Sequence, residues 1–266
     1  MGLLEGKRGL ILGMANQRSI AYGIAKQTKD QGASLILSYQ GPRFEKKVRP
    51  LAEELGAIDL LECDVTSDEA LEELRLGVER HWKNLDFIVH AVAFAEVNDL
   101  KGRFVDTSRA GFLRALEIST YSLVALSRTF MPLLHKATST ASVLTMSYLG
   151  AERVVPNYNV MGVAKAALEA SVRYLANELG EQNVRVNALS AGPIKTLSAA
   201  GVPGLRKMLS SAEGQAPLKR NVSIDDVGAS AVYLLSDLSC AVTGEVVHVD
   251  SGIHVLAGGL PFFDGS

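Results

Sequence analysis

The residues with the clearest chemical potential are Tyr148, Tyr158 and Lys165. A phenolic hydroxyl is a good donor to an oxygen that gains negative charge, and a nearby ammonium makes its proton easier to share. Reduction by hydride needs such a donor, and one placed well is worth about 3–4 kcal/mol in a transition state. Pro156 closes the loop before Tyr158 and Asn157 reads as an N-cap, so the pattern predicts a helix opening at Tyr158. The seven-residue spacing then puts Tyr158 and Lys165 on one face, about 10 Å apart along the axis. Helical side chains lean toward the N-terminus, so Lys165 would reach back toward Tyr158. An isolated pair of this kind is more often a packing tyrosine and a surface lysine. The frame that carries it decides otherwise.

That frame alternates apolar bursts with longer helical patterns, as parallel strands joined by crossover helices do. Strands are predicted at 8–13, 34–38, 58–63, 85–91, 141–147, 184–190 and 245–249. They are rich in Val, Ile and Leu, which suits strands covered on both faces. Helices are predicted at 20–31, 43–56, 68–82, 108–135, 158–180 and 225–236, with 96–107 and 192–215 less regular. No linker, repeat or low-complexity segment interrupts the chain. The expected architecture is α/β: a single Rossmann-like doubly wound domain over 1–266 with a mostly parallel seven-stranded sheet. Ligands of such folds bind beyond the carboxyl ends of the strands, where every chemically loaded segment of this chain falls.

After the first strand, Gly13 allows close backbone approach to a pyrophosphate, Ser19 can donate to phosphate, and Gly23 suits a tight helix–strand contact. The strict G-x-G-x-x-G spacing is absent. Gln40 follows the second strand where an acidic ribose hook often stands; it can bond a free ribose hydroxyl but does not attract a phosphate, which favours NADH over NADPH. At the third strand end Asp64 can accept from an adenine amino group, or serve as a turn residue, while Val65 packs on the ring. Cys63 reads as an apolar filler. The turn from His90 to Ala95 is built of small residues that let a ribose lie on backbone. Gly192-Pro193 fixes a turn that frees the backbone of Ile194 for a carboxamide, and Thr196 offers a hydroxyl to phosphate. The greasy segment beyond it suits a lid at about 192–215 over a hydrophobic substrate, or else an ordinary surface helix.

Composition narrows the rest. With 27 basic against 29 acidic residues the net charge is −2, which gives no footprint for nucleic acid and no polybasic anchor. Two distant cysteines and five scattered histidines argue against a metal site, so none is expected. No membrane-spanning run and no signal-peptide core are present, which fits a cytoplasmic protein.

Taken together, these residues resemble the short-chain dehydrogenase/reductase superfamily, in particular its divergent branch of bacterial NADH-dependent enoyl-acyl-carrier-protein reductases. The resemblance lies in Gly13-x5-Ser19-Ile20-Ala21-Tyr22-Gly23, in Tyr148 followed by Tyr158 and then Lys165 seven further on, and in Ser190-Ala191-Gly192-Pro193-Ile194. It spans about residues 2–256. It implies that Gly13, Ser19, Ile20, Gln40, Asp64, Val65 and Val92 line the dinucleotide, with Lys165, Ile194, Lys195, Thr196, Leu197 and Ser198 completing the site. It implies that Tyr158 bonds the thioester carbonyl of an enoyl substrate on its acyl-carrier protein, that Tyr148 and Ala95 contact that substrate, and that the protein is a homotetramer. The seven-residue spacing speaks against a conventional 3-ketoacyl reductase, and the intact tyrosine–lysine set against a silent dinucleotide-binding regulator. Three departures stand out: Ala93 where the family commonly has glycine, Lys195 where arginine also occurs, and Asp250-Ser251-Gly252 in place of D-G-G, a change expected to be without consequence. The tail from Leu260 to Ser266 has no counterpart in the resemblance, and its paired phenylalanines suggest docking.

Overall fold

The computed structural model describes residues 2–196 and 204–257, the side chains of Leu205 and Arg206 excepted. Its strands are β1 (Arg8–Leu12), β2 (Ser34–Tyr39), β3 (Asp59–Glu62), β4 (Phe87–His90), β5 (Ala141–Ser147), β6 (Val184–Ala191) and β7 (Val246–Val249). They form one seven-stranded sheet in the order β3-β2-β1-β4-β5-β6-β7, and all six pairings are parallel. Along each strand successive side chains point to opposite faces. Ile11, Leu35, Leu37, Phe87, Val89 and Leu144 enter one core, while Leu10, Leu12, Ile36, Ile88 and Val143 enter the other. Both faces are apolar, which is why these strands read as unbroken Val/Ile/Leu runs.

The helices are α1 (Ile20–Asp30), α2 (Pro42–Glu54), α3 (Asp68–His81), α4 (Val97–Leu100), α5 (Arg109–Leu116), α6 (Ser122–Leu134), α7 (Val160–Gly180), α8 (Leu205–Gln215) and α9 (Ile224–Leu235). α1, α2 and α9 cover the first core through residues such as Ile24, Leu51 and Val227. α3, α6 and α7 cover the second through Leu74, Phe130 and Leu168.

The structure departs from the sequence reading at three helices. The expected helix at 108–135 is broken by a π turn at Glu117–Tyr121. Two hydroxyls bond around the break: Ser122 Oγ donates to the Ile118 carbonyl at 2.6 Å, in competition with the regular ladder, and Thr120 Oγ1 to the Ala164 carbonyl of α7 at 2.8 Å. The next helix starts at Val160, so Tyr158 lies in the turn before it and Asn157 is not its cap. Asn157 at φ 63° and Asn159 at φ 37° carry that extra turn, asparagine being among the few side chains that tolerate positive φ. The third departure is α8, an ordered helix inside the stretch read as irregular; residues 197–203 of that lid segment and the tail beyond 257 lie outside the described residues.

Gly23 faces α9 rather than a strand: a Cβ there would stand 2.4 Å from the Ile224 carbonyl oxygen. Gly23→Ala gains about 1 kcal/mol of helix propensity but forces two helices apart, an overpacking worth about 1–3 kcal/mol. Urea unfolding should show a net loss of up to about 2 kcal/mol; a midpoint at or above the parent's would mean the helices separate freely. The departure at Ser251 is not neutral either. Its φ is 59° in the left-handed region, and its buried hydroxyl has no hydrogen-bond partner among the described residues. Ser251→Gly should therefore raise stability by about 1 kcal/mol in the same measurement, and a loss would show that the hydroxyl is satisfied.

Candidate active site

The strand order reverses at β1, whose neighbours β2 and β4 lead the chain away in opposite directions and leave a crevice at their carboxyl ends. Gly13 floors it. Its φ is 98°, and a Cβ there would stand 2.1 Å from the Ala91 carbonyl oxygen, so the exits of β1 and β4 meet backbone to backbone. Ser19, buried at the entry to α1, accepts from the amides of Ala15 (3.0 Å) and Asn16 (3.1 Å), which leaves its own proton for another acceptor. It makes no side-chain cap bond to the helix, so the start of α1 keeps the amide-rich character that suits an anion.

The other dinucleotide candidates that the structure describes, Lys165 apart, follow strand ends or open α1. Ile20 and Ile194 pack against the first core, Val65 and Val92 against the second. Gln40, exposed after β2, donates to Asp64 Oδ2 at 3.4 Å across the strand ends. Asp64 also accepts from the amide and hydroxyl of Thr66 at 3.0 and 2.8 Å, so it is a turn residue as well as a candidate ligand. Burial pushes its carboxyl up, but the bonds from Thr66 and Gln40 prevail and hold it below the ordinary carboxylate range. The Ile194 carbonyl accepts from the Thr196 amide at 2.8 Å, and Lys195 is exposed. Leu197 and Ser198 lie outside the described residues. Cys63 is buried as expected, its thiol pushed up to about 12 by desolvation.

Tyr148 leaves the end of β5, and Tyr158 comes from the turn before α7. Their rings meet edge-on, with centroids 4.8 Å apart and planes at 67°. Tyr158 and Ala95 pack together against Leu100, Ala115, Val160 and Met161. Burial, and secondarily Tyr148, push the Tyr158 hydroxyl above its ordinary value. It is thus a firmly protonated donor, contrary to the expectation that a neighbouring ammonium would ease its proton. The Tyr148 hydroxyl donates to the Met208 thioether of α8 at 3.4 Å, over a cavity of about 150 Å³ also lined by Leu149, Pro193, Ala212 and Ile253.

Lys165 donates to the Met146 carbonyl, next to the last residue of β5, at 2.7 Å. It is 5% exposed. Burial draws its ammonium down from 10.5 to about 8, with Glu169 pulling the other way. Beneath it His90 is fully buried between Thr145 Oγ1 (2.9 Å) and Ser122 Oγ (2.8 Å). Burial first and the Lys165 charge second hold it down to about 3, so it is a neutral imidazole. Sequence reasoning missed three parts of the site: the His90 bridge, Glu169 one turn beyond Lys165, and Ser119, whose hydroxyl takes the Phe94 amide at 3.0 Å and donates to the Phe94 carbonyl at 3.1 Å, whereas Met208 over Tyr148 falls in the expected lid segment. Only Glu169 left a sequence signal, its i+4 spacing from Lys165.

A parallel sheet with a glycine floor at its reversal point, and tyrosines and a lysine at the end of β5, define a short-chain dehydrogenase/reductase. Residues 13–254 match the family described as Enoyl-(Acyl carrier protein) reductase. A Rhizobium meliloti protein named enoyl-(acyl-carrier-protein) reductase (NADH) 1 is 53% identical over 255 residues, covering 96% of this chain and 93% of its own. The crystal structure of the Anaplasma phagocytophilum reductase in complex with NAD superposes with a TM-score of 0.92 at 50% identity, covering 96% of this chain and 97% of that one. That of the Bacillus cereus enoyl-acyl-carrier-protein reductase with NADP+ and indole naphthyridinone gives 0.93 at 51%, covering 96% and 99%. The chain belongs to the enoyl-acyl-carrier-protein reductase family.

The lowered value of Lys165 carries a stability consequence. Between about pH 8 and 10.5 the unfolded chain binds more protons than the folded one, so stability rises with pH through that window and the burden of the buried charge is full below it. In the cofactor-free protein, Lys165→Met should be at least as stable as the parent at pH 7, by at most about 3 kcal/mol. The gap should close toward pH 10 in thermal melts. A variant uniformly less stable at every pH would mean that the ammonium's contacts outweigh its burial.

Proposed function

We propose that this protein is an NADH-dependent enoyl-acyl-carrier-protein reductase, which saturates a trans-2-enoyl thioester held on acyl-carrier protein in the last reduction of each elongation round of fatty-acid synthesis. The observation that carries the reading is the edge contact of Tyr148 on Tyr158, beside a buried Lys165 anchored to the Met146 carbonyl. The names of its close relatives support the same activity.

The residues fit a dinucleotide. Gly13 leaves room where any Cβ would fill the cradle, Ser19 has a proton to give to a phosphate, and Gln40 and Asp64 face one another at the adenosine end. Ile20, Val65 and Val92 wall the crevice, and Ile194, Lys195 and Thr196 close it. Lys165 donates to ribose hydroxyls. When bound, NADH supplies the hydride that adds at the β-carbon of the thioester. Tyr158 donates to the thioester oxygen as negative charge gathers there, Tyr148 and Ala95 hold the acyl group beside it, and the α-carbon then takes a proton. Gln40 offers no attraction for a 2′-phosphate, which favours NADH over NADPH. Self-association into a homotetramer is in keeping with exposed Tyr121, Val163 and Tyr174 near and along α7. Unpaired Cys63 and Cys240 suit a reducing cytoplasm, and among the described residues no helix is long and apolar enough to cross a membrane.

The test follows NADH, and separately NADPH, by absorbance with a trans-2-enoyl thioester and the purified protein. Oxidation of NADH that requires the enoyl substrate is expected. Tyr158→Phe should lower kcat by about two to three orders of magnitude with NADH affinity unchanged, and Lys165→Ala should weaken NADH binding at least about tenfold, the loss of one charge-assisted bond. Full turnover by Tyr158→Phe would remove it from the oxyanion role. Preference for NADPH would overturn the reading of Gln40, and turnover of a 3-ketoacyl thioester alone would make the protein a conventional carbonyl reductase.

A further inference from the structure

Lys165 sits where an ammonium is poorly solvated, so a nearby group must keep it charged. Glu169 lies one helical turn beyond it on α7, four residues on, which brings the two side chains to the same face of the helix. Its carboxylate is buried at 7% exposure and accepts from the Ser147 hydroxyl at 2.5 Å. Ser147 is the last residue of β5, between Met146, whose carbonyl takes the Lys165 ammonium, and Tyr148, whose ring meets Tyr158. The i,i+4 spacing places this carboxylate on the face of α7 that carries Lys165, close enough to act on its charge without a direct ion pair.

We propose that Glu169 is a positioning residue: the buried counter-charge that, braced by Ser147, keeps the Lys165 ammonium protonated and aimed over the end of β5. The proposal rests on the reading of Lys165 as a cofactor ligand and adds the group that makes it one.

The charged surroundings favour this assignment. From β4, the group that faces Lys165 is His90, which is neutral. Glu169 itself is faced by Glu152 from the turn after β5, His248 from β7 and Arg173 further along α7. Glu152 already lies 2.9 Å from His248 Nε2, so it has its own partner. Burial raises the Glu169 carboxyl, Ser147, His248 and Arg173 draw it down, and Glu152 raises it. In turn Glu169 raises the Lys165 ammonium against the effect of burial.

Glu169→Gln keeps the shape and an acceptor for Ser147 while removing the charge. The experiment titrates the Lys165 side chain in the cofactor-free protein by NMR of 13Cε-labelled lysine, assigned with Lys165→Met, and measures NADH affinity by fluorescence at pH 6 and pH 8. The Lys165 midpoint should fall by about one unit, and NADH should bind about fivefold more weakly at pH 8 yet within about twofold of the parent at pH 6. Glu169→Asp, which keeps the charge, should restore much of the midpoint. Should Glu169→Gln not fold, Ser147→Ala supplies the test, with a smaller fall in the same direction. An unmoved midpoint, or an affinity loss equal at both pH values, overturns the proposal and leaves Glu169 a packing residue. A midpoint that falls while NADH affinity ignores pH upholds the counter-charge and overturns instead the reading of Lys165 as a cofactor ligand.

Discussion

The approach of the Gly13 backbone to the Ala91 carbonyl is the constraint from which the rest of the site follows. It brings the exits of β1 and β4 together, and so fixes where the chain after β4 begins its path. That path is then held by hydroxyls: Ser119 grips both backbone groups of Phe94, and Thr120, its neighbour in the π turn, binds the Ala164 carbonyl of α7. Ala164 precedes Lys165. A continuous set of backbone contacts thus runs from the glycine floor to the lysine, and the π turn is the element that lets consecutive residues reach two different partners.

Burial sets the protonation of this site more than neighbouring charge does. His90 is neutral, Tyr158 firmly protonated, and Lys165 close enough to neutrality that a single carboxylate matters. A dry environment strengthens each remaining electrostatic contact and penalises each unpaired one. The same dryness makes the protein carry a destabilising charge in a core-like position, as functional groups commonly do.

The strands were legible because two apolar faces leave an unambiguous mark, and predicted and observed bounds differ by no more than about two residues. The placement of the nucleotide candidates was legible too, since Gly13, Ser19, Gln40 and Asp64 all follow strand ends or precede the first turn of α1. What escaped was set by pairing between distant residues. Nothing in the local pattern around Ser119 distinguishes it from any polar residue on a helix; its role exists only because Phe94 arrives opposite. The start of α7 was misread because an asparagine before a helix is a common cap, whereas Asn157 and Asn159 here absorb positive φ. The positive φ of Ser251 was not legible, because sequence does not show on which side of the Ramachandran map a residue lies.

The contact between Tyr148 and Met208 has a consequence of its own. A thioether is a weak acceptor on a pliable, unbranched side chain. A phenol that gives its proton to sulfur is therefore provisionally engaged, and any carbonyl oxygen entering the cavity offers it a better partner. Exchanging Met208 for such an oxygen costs the hydroxyl little, because the bond it gives up is weak.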